Sequence, residues 1–284
     1  KRDLHGFSTN DTIVSSSCLD RADFIVMSPG ISLKKASLKK KLIKNKHKII
    51  TDLDLFYLFN PKIKTIVITG TNGKSTTCKI LEHVLRKNNT NVRLAGNIGK
   101  PILDLNLKNS PIVIIEASSF QLAYSQFVRP DYAAILNITN DHLDWHGDEA
   151  TYFQAKMNLL RGPHRKPAKV IVEKNSPFVN ALDSLETKPQ IVSPNATELL
   201  EILEPQHISP ALTGDTGHSN LELATALARD LGASNEGCRI AAEKFQGLPH
   251  RFEFVPGKDD LIYINDSKAT SFDACLQSLS NYKY

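Results

Sequence analysis

The sequence predicts an α/β protein built on a mostly parallel sheet, and three observations carry that prediction. Short β-branched or aliphatic runs at 65–69, 112–116, 132–137 and 169–172 alternate with stretches whose apolar residues fall at helical spacing. Such alternation belongs to βαβ units, which place their ligands at the carboxyl ends of the strands. Secondly, the run at 65–69 breaks into Gly70-Thr71-Asn72-Gly73 and resumes as a helix with apolar positions at Cys78, Leu81, Val84 and Leu85. Thirdly, the strands end in reactive side chains: Glu116 follows four aliphatics, and Asn137 leads into Asp141-His142.

From the amino end, residues 23–31 read as a buried strand closing in a Pro29-Gly30 turn. A lysine-rich helix within 34–48, a short strand at 49–50 and a helix at 53–59 follow, up to Pro61. Ser28-Pro29-Gly30 sits at the strand edge, where its backbone either cradles a phosphate or makes a plain turn. The alternation continues through the strands named above, a helix at 149–160 and another at 220–231 that stops at Gly232. Residues 186–210, rich in Pro, Ser and Thr, read as a surface loop. After Gly247 the pattern changes: 261–265 reads as a strand entering Asp266-Ser267-Lys268-Ala269-Thr270 and a further helix. The expected domains are therefore 1–61, 62–247 and 248–284.

Composition narrows the function classes. The net charge of +5 comes largely from Lys34, Lys35, Lys39, Lys40, Lys41, Lys44, Lys46 and Lys48. No aromatic ladder accompanies these lysines, so a solvated helix face explains them better than a nucleic-acid surface. Cys18, Cys78, Cys238 and Cys275 are dispersed, without a C-x-x-C pair, which fits neither a zinc knuckle nor a disulfide framework and suits a reducing cytoplasm. No run approaches the roughly 18 apolar residues of a membrane span. Residue 1 is Lys, and the helical pattern at Ala274, Leu276 and Leu279 has barely begun when the sequence stops, so a fragment of a longer chain is expected.

Strand, glycine turn and Lys74-Ser75 at a helix start make a phosphate-binding loop. Backbone N–H groups of the helix N-terminus face the anion, Lys74 reaches the β/γ-phosphates, and Ser75 can hold Mg²⁺. The full G-x-x-x-x-G-K-[ST] pattern is not met, because its first glycine would fall at Ile68; the shorter form rests on its strand-turn-helix context. Glu116 is placed as a second metal anchor, with a salt-bridged strand end as the alternative. His142 and His146 stand at i, i+4, which invites zinc, but Gly147 breaks the helix that such a site needs. A hard cation held by oxygens and one imidazole fits the strand-end position better. Lys156 is the lone cation on an apolar turn; a snorkelling surface lysine is its ordinary explanation.

Together these stretches resemble the Mur ligase family, whose members join an amino acid to a UDP-muramoyl precursor of peptidoglycan at the expense of ATP. Gly70 to Ser75 resembles its phosphate loop, and 137–144 its N-x-x-x-D-H-x-D element. The segments 95–99, 116–122, 247–253 and 265–270 are similar to the branch that adds D-glutamate to UDP-N-acetylmuramoyl-L-alanine. The resemblance implies three domains: a Rossmann-like UDP-binding remnant, a central ATPase, and the start of a Rossmann-like C-terminal domain. It implies Gly70, Thr71, Asn72, Gly73, Lys74, Ser75 and Thr76 on ATP, joined by Asn220, Arg251 and Asp266. It further implies Ser75 with Glu116 on one Mg²⁺, and His142 with Lys156 on a second if that lysine is carbamylated; Lys74, His142 and Lys156 are then the catalytic set. Gly30, Asn97, Ser118 and Gln121 would contact the muramoyl nucleotide, and Lys268 and Thr270 would close around glutamate. One departure is plain: the helix expected to open His-Asn-x-x-Asn reads Ser219-Asn220-Leu221-Glu222-Leu223. The implied protein is a cytoplasmic monomer acting on small molecules, with neither nucleic acid nor membrane as partner. The rival readings are another amide ligase of the superfamily, such as a folylpolyglutamate synthase, a P-loop switch with a macromolecular partner, and a basic RNA-binding module.

Overall fold

The computed structural model describes residues 16–33, 38–139, 141–160, 169–173, 190–192, 210–212, 214–257 and 261–269, with isolated positions 176, 179, 181, 275, 276 and 279. The chain opens with α1 (Ser16–Arg21), β1 (Ile25–Val26), α2 (Lys39–Lys44), β2 (Ile49–Ile50) and α3 (Asp52–Phe59). β1 and β2 pair in parallel, Ile25 opposite Ile49. The strand expected over 23–31 is thus cut to two residues, and it is not buried throughout. Phe24, Val26 and Ile31 are each about half exposed, because β1 has only β2 as a neighbour among the described strands. The lysine-rich helix turns Leu42 inward and spends its charge locally, with Lys41 2.7 Å and Lys44 3.8 Å from the Asp20 carboxylate.

α3 is fixed to the rest of the chain by a buried acid that the sequence reading passed over. Thr51 N donates to Asp54 Oδ2 at 2.8 Å in a capping box, while Asp54 Oδ1 accepts from Gln126 N at 2.8 Å and Phe127 N at 2.6 Å. Burial pushes the Asp54 carboxyl up, and these backbone donors oppose that shift.

The centre is a six-stranded parallel sheet in the order β4-β5-β3-β6-β7-β8. Its strands are β3 (Thr65–Thr69), β4 (Val92–Gly96), β5 (Ile112–Glu116), β6 (Tyr132–Ile135), β7 (Lys169–Glu173) and β8 (Gln190–Val192). All five β3 residues are buried, as expected where helices cover both faces; this is why the run shows no alternation. One face packs against α4 (Lys74–Lys87), α8 (Gly214–Asp230) and α9 (Asn235–Lys244), with Ile66, Ile68, Leu81, Val84, Leu85 and Leu227 in a common core. Each such side chain contributes roughly 1.5–3 kcal/mol on burial. The opposite face, with Val67, Ile115 and Ile135, packs against α3, α5 (Ser119–Tyr124) and α7 (Glu149–Met157), which follows the short α6 (Leu143–His146).

Two elements differ from the sequence expectation in kind. β8 lies inside the segment read as a loop; residues 193–209 of that segment are outside the described residues. α8 starts at Gly214, six residues before the expected 220, because its first turns carry Gly214, Asp215, Gly217 and Ser219, all poor helix formers. β6 stops at Ile135, two residues early, and α7 at Met157. Beyond α9, β9 (Glu253–Val255) and β10 (Tyr263–Asn265) form an antiparallel pair, Tyr263 opposite Val255. Leu261 and Ile262, expected in that strand, precede it. Thr270 and most of the helix expected after it lie outside the described residues.

Candidate active site

The carboxyl ends of β3, β5 and β6 converge on the loop between β3 and α4. Gly73 has φ +81°, and a Cβ there would lie 2.2 Å from Asn220 Oδ1, so both backbone and space demand glycine. Asn137, just past β6, pins the loop: its carbonyl accepts from Thr71 N at 2.9 Å and its Oδ1 from Asn72 N at 2.8 Å. No side chain among the described residues caps the α4 N-terminus. Its first N–H groups are therefore available to an anion, with the helix dipole behind them.

Lys74 folds back over the loop, donating to Gly70 O at 3.0 Å and Thr71 O at 2.8 Å. Burial lowers its proton affinity, and the nearby Glu116 carboxylate opposes that shift. Ser75 Oγ accepts from Arg251 Nη2 at 3.2 Å, so the segment after α9 already reaches the loop; Thr76 occupies the next position of the first helical turn. Asn220 Oδ1 accepts from Thr77 Oγ1 at 3.1 Å, placing α8 directly behind Gly73.

Glu116 is 1% exposed. Its Oε1 accepts from Asn97 Nδ2 at 2.8 Å, while Oε2 is buried and meets no hydrogen-bond donor among the described residues. A buried acceptor without a donor is costly unless a cation supplies the missing partner. The free oxygen of Glu116 is the kind of donor that suits a hard cation such as Mg²⁺.

Lys156 is the largest departure from its ordinary explanation. It is 1% exposed, so it does not snorkel; its Nζ donates to Gly70 O at 2.7 Å and lies 4.5 Å from the centre of the Tyr152 ring. Burial, reinforced by the Lys74 charge, holds its ammonium well below the usual lysine range. His142 takes a left-handed backbone (φ +54°) and is the exposed partner of Asp141, with Nδ1 3.3 Å from Oδ1. His146 is buried, its Nε2 3.0 Å from Ser119 Oγ. The two histidines thus serve different surroundings, and among the described residues no group of three His, Cys, Asp or Glu could hold an ion.

Ser118 caps α5, its Oγ accepting from Gln121 N at 3.2 Å while Gln121 Oε1 accepts from Ser118 N at 3.1 Å. Gln121 Nε2 also donates to Asp52 at 3.3 Å, which joins the first segment to the sheet face. Gly30 borders open space among the described residues. On the last segment, Asp266 Oδ1 accepts from Phe252 N at 3.1 Å, and the exposed Lys268 donates its N–H to His250 O at 3.1 Å. The structure thus brings the loop, Glu116, Asn97, Lys156, Asn220 and Arg251 together; Thr270 lies outside the described residues.

Sequence reasoning missed Tyr152, whose hydroxyl lies 2.9 Å from Thr71 Oγ1, and the His146–Ser119 contact. The signal for Tyr152 was present, since it stands four residues before Lys156 and so shares its helix face.

Residues 68–219 match the pattern of the Mur ligase middle domain. The chain is 34% identical over 278 residues to the UDP-N-acetylmuramoylalanine–D-glutamate ligase of Elusimicrobium minutum, covering 90% of this chain and 61% of that protein. It is also 34% identical over 276 residues to the enzyme of that name from Francisella philomiragia, covering 96% of this chain and 64% of that protein. Among solved structures, a Thermotoga maritima MurF ligase in complex with ADP is similar in fold, with a TM-score of 0.64 at 14% identity over 93% of this chain and 76% of that one. The chain spans about three fifths of the curated relatives' length. More than half of its residues fall within the middle-domain pattern, and the phosphate loop lies inside that span: the chain belongs to the Mur ligase family.

Proposed function

We propose that this chain is the nucleotide-handling part of a cytoplasmic enzyme that adds D-glutamate to UDP-N-acetylmuramoyl-L-alanine, with ATP consumed to ADP and phosphate. The observation that carries the reading is the convergence of Lys74 and Lys156 on Gly70 O, with the charge of Glu116 acting on Lys74 and its Oε2 meeting no donor among the described residues. Residues 1–61 belong to the UDP-substrate domain, 62–247 to the ATP-binding domain and 248–284 to the start of the ligase domain. The enzyme acts as a monomer on small molecules.

The alanyl carboxylate attacks the γ-phosphate in line, giving an acyl-phosphate and ADP; the glutamate amine then attacks the acyl carbon and expels phosphate. Lys74 and the α4 N-terminus meet the charge on the transferring phosphoryl group from positions fixed by Asn137. Mg²⁺, when bound at Ser75 and Glu116 and at a second place near His142, supplies further charge neutralisation. Asn97, Ser118 and Gln121 orient the muramoyl nucleotide, with Gly30 near its diphosphate or uracil end. Arg251, Asp266 and Asn220 hold ATP phosphate, ribose and adenine; Lys268 and Thr270 close on glutamate. Burial favours the neutral amine of Lys156, the form that adds carbon dioxide, so carbamylation would exchange a disfavoured cation for an oxygen ligand.

Hydroxylamine trapping tests this reading. In a chain extended to the relatives' full length, ATP, Mg²⁺, UDP-muramoyl-L-alanine and hydroxylamine should yield a hydroxamate, and omission of either substrate should abolish it. ATP hydrolysis indifferent to the muramoyl nucleotide, with no hydroxamate, would support a switch instead.

A further inference from the structure

Between the phosphate loop and the α5 N-terminus lies a packed group of rings whose centre is His146. Its Nε2 shares a hydrogen bond of 3.0 Å with Ser119 Oγ, and both side chains are buried, at 1% and 3% exposure. Its ring stacks on Phe120 at 5.6 Å and 12°, and meets the edge of Tyr152 at 5.1 Å. Tyr152 is bonded to Thr71 of the phosphate loop, and Phe120 lies 4.6 Å from the His142 ring. One imidazole therefore touches the helix that begins at Ser119, the ring backing His142, and the tyrosine that contacts the loop.

From this we infer that His146 is a positioning residue: a strut that fixes the Ser118–Gln121 turn and His142 relative to the phosphate loop. The inference rests on the proposed function for the identity of the ligand at Ser118. A serine at the first position of a six-residue helix does not need a buried histidine to form that helix, because Ser118 and Gln121 already satisfy its first donors. What the histidine adds is a tie between α5 and α6, elements separated by 27 residues at this contact. α6 has only four residues and ends at Gly147, so its own backbone holds His142 weakly. The strut supplies that rigidity from outside. The loop is also pinned by Asn137, which His146 does not touch, so loss of the strut falls more on the acyl substrate than on ATP.

The test is binding, measured by calorimetry on the chain extended to its relatives' full length, with UDP-muramoyl-L-alanine and, separately, a non-hydrolysable ATP analogue. His146→Phe and Ser119→Ala should each weaken the muramoyl nucleotide about fivefold or more, the effect of one lost buried hydrogen bond. The double variant should be no worse than either single one, and His146→Gln, which keeps a polar atom at the reach of Nε2, should recover most of the loss. Affinity for the ATP analogue should fall less than affinity for the muramoyl nucleotide in all of them, because Asn137 holds the loop without His146. Unchanged muramoyl affinity in both single variants, additive losses, or an equal loss of ATP affinity overturns the strut. An extended wild-type chain that binds the ATP analogue but not UDP-muramoyl-L-alanine overturns the proposed function and the inference with it.

Discussion

Lys156 Nζ donates to Gly70 O across 2.7 Å, so a lysine near the end of α7 reaches the first glycine of the phosphate loop, 86 residues earlier. The same carbonyl accepts from Lys74 at 3.0 Å. Burial first, and then the charge of Lys74 on the same carbonyl, hold Lys156 well below the usual lysine range.

A stability consequence follows from that shift. In bicarbonate-free buffer, Lys156→Met should raise unfolding stability at neutral pH by about 1–2 kcal/mol, since an apolar chain replaces a buried amine whose protonation folding disfavours. The sign with pH is set by the lowered value. The folded state binds fewer protons than the unfolded state, so the penalty is full below the folded pKa and fades as pH rises toward 10.5. The gap between variant and wild type should therefore shrink in alkaline buffer. Denaturant titrations across pH would show this, and a gap that widens with pH would contradict it.

Gly73→Ala should cost about 2–4 kcal/mol, combining left-handed backbone strain with a clash against a buried neighbour. Its Cβ would lie 2.2 Å from Asn220 Oδ1. Adding Asn220→Ala removes the clash but not the strain, so the double variant should be less destabilised than the sum of the two. Strict additivity in urea melts would show that Asn220 is not the obstacle.

Glu116→Gln separates metal from loop. The amide keeps the shape of a side chain whose Oε1 accepts from Asn97 at 2.8 Å, but it removes the charge of a carboxylate whose Oε2 meets no donor among the described residues. ATP affinity without Mg²⁺ should hold, while the gain on adding Mg²⁺ should fall about tenfold or more. A full Mg²⁺ gain in the variant would place the ion elsewhere.

How much of this was legible in the sequence depends on the range of each interaction. β3, its glycine turn and α4 were readable, because a β-branched run, two glycines and a helical apolar stripe are local signals. β8 was not, being three residues within a Pro- and Ser-rich stretch, and the start of α8 was hidden by Gly214 and Gly217. The candidate site divides in the same way. Glu116 at a strand end could be picked out from its own neighbours, but the burial of Lys156 depends on Gly70, and the Arg251–Ser75 contact joins residues 176 apart. The strand expected over 23–31 failed because its apolar residues lack enough paired neighbours to be covered.

The most direct measurement follows phosphate release from the chain extended to its relatives' full length, given ATP, Mg²⁺ and UDP-muramoyl-L-alanine. D-glutamate, L-glutamate, L-lysine, diaminopimelate and L-alanine are added in turn. Release with D-glutamate alone is the predicted result; release driven equally by another amino acid, or independent of any of them, would contradict it.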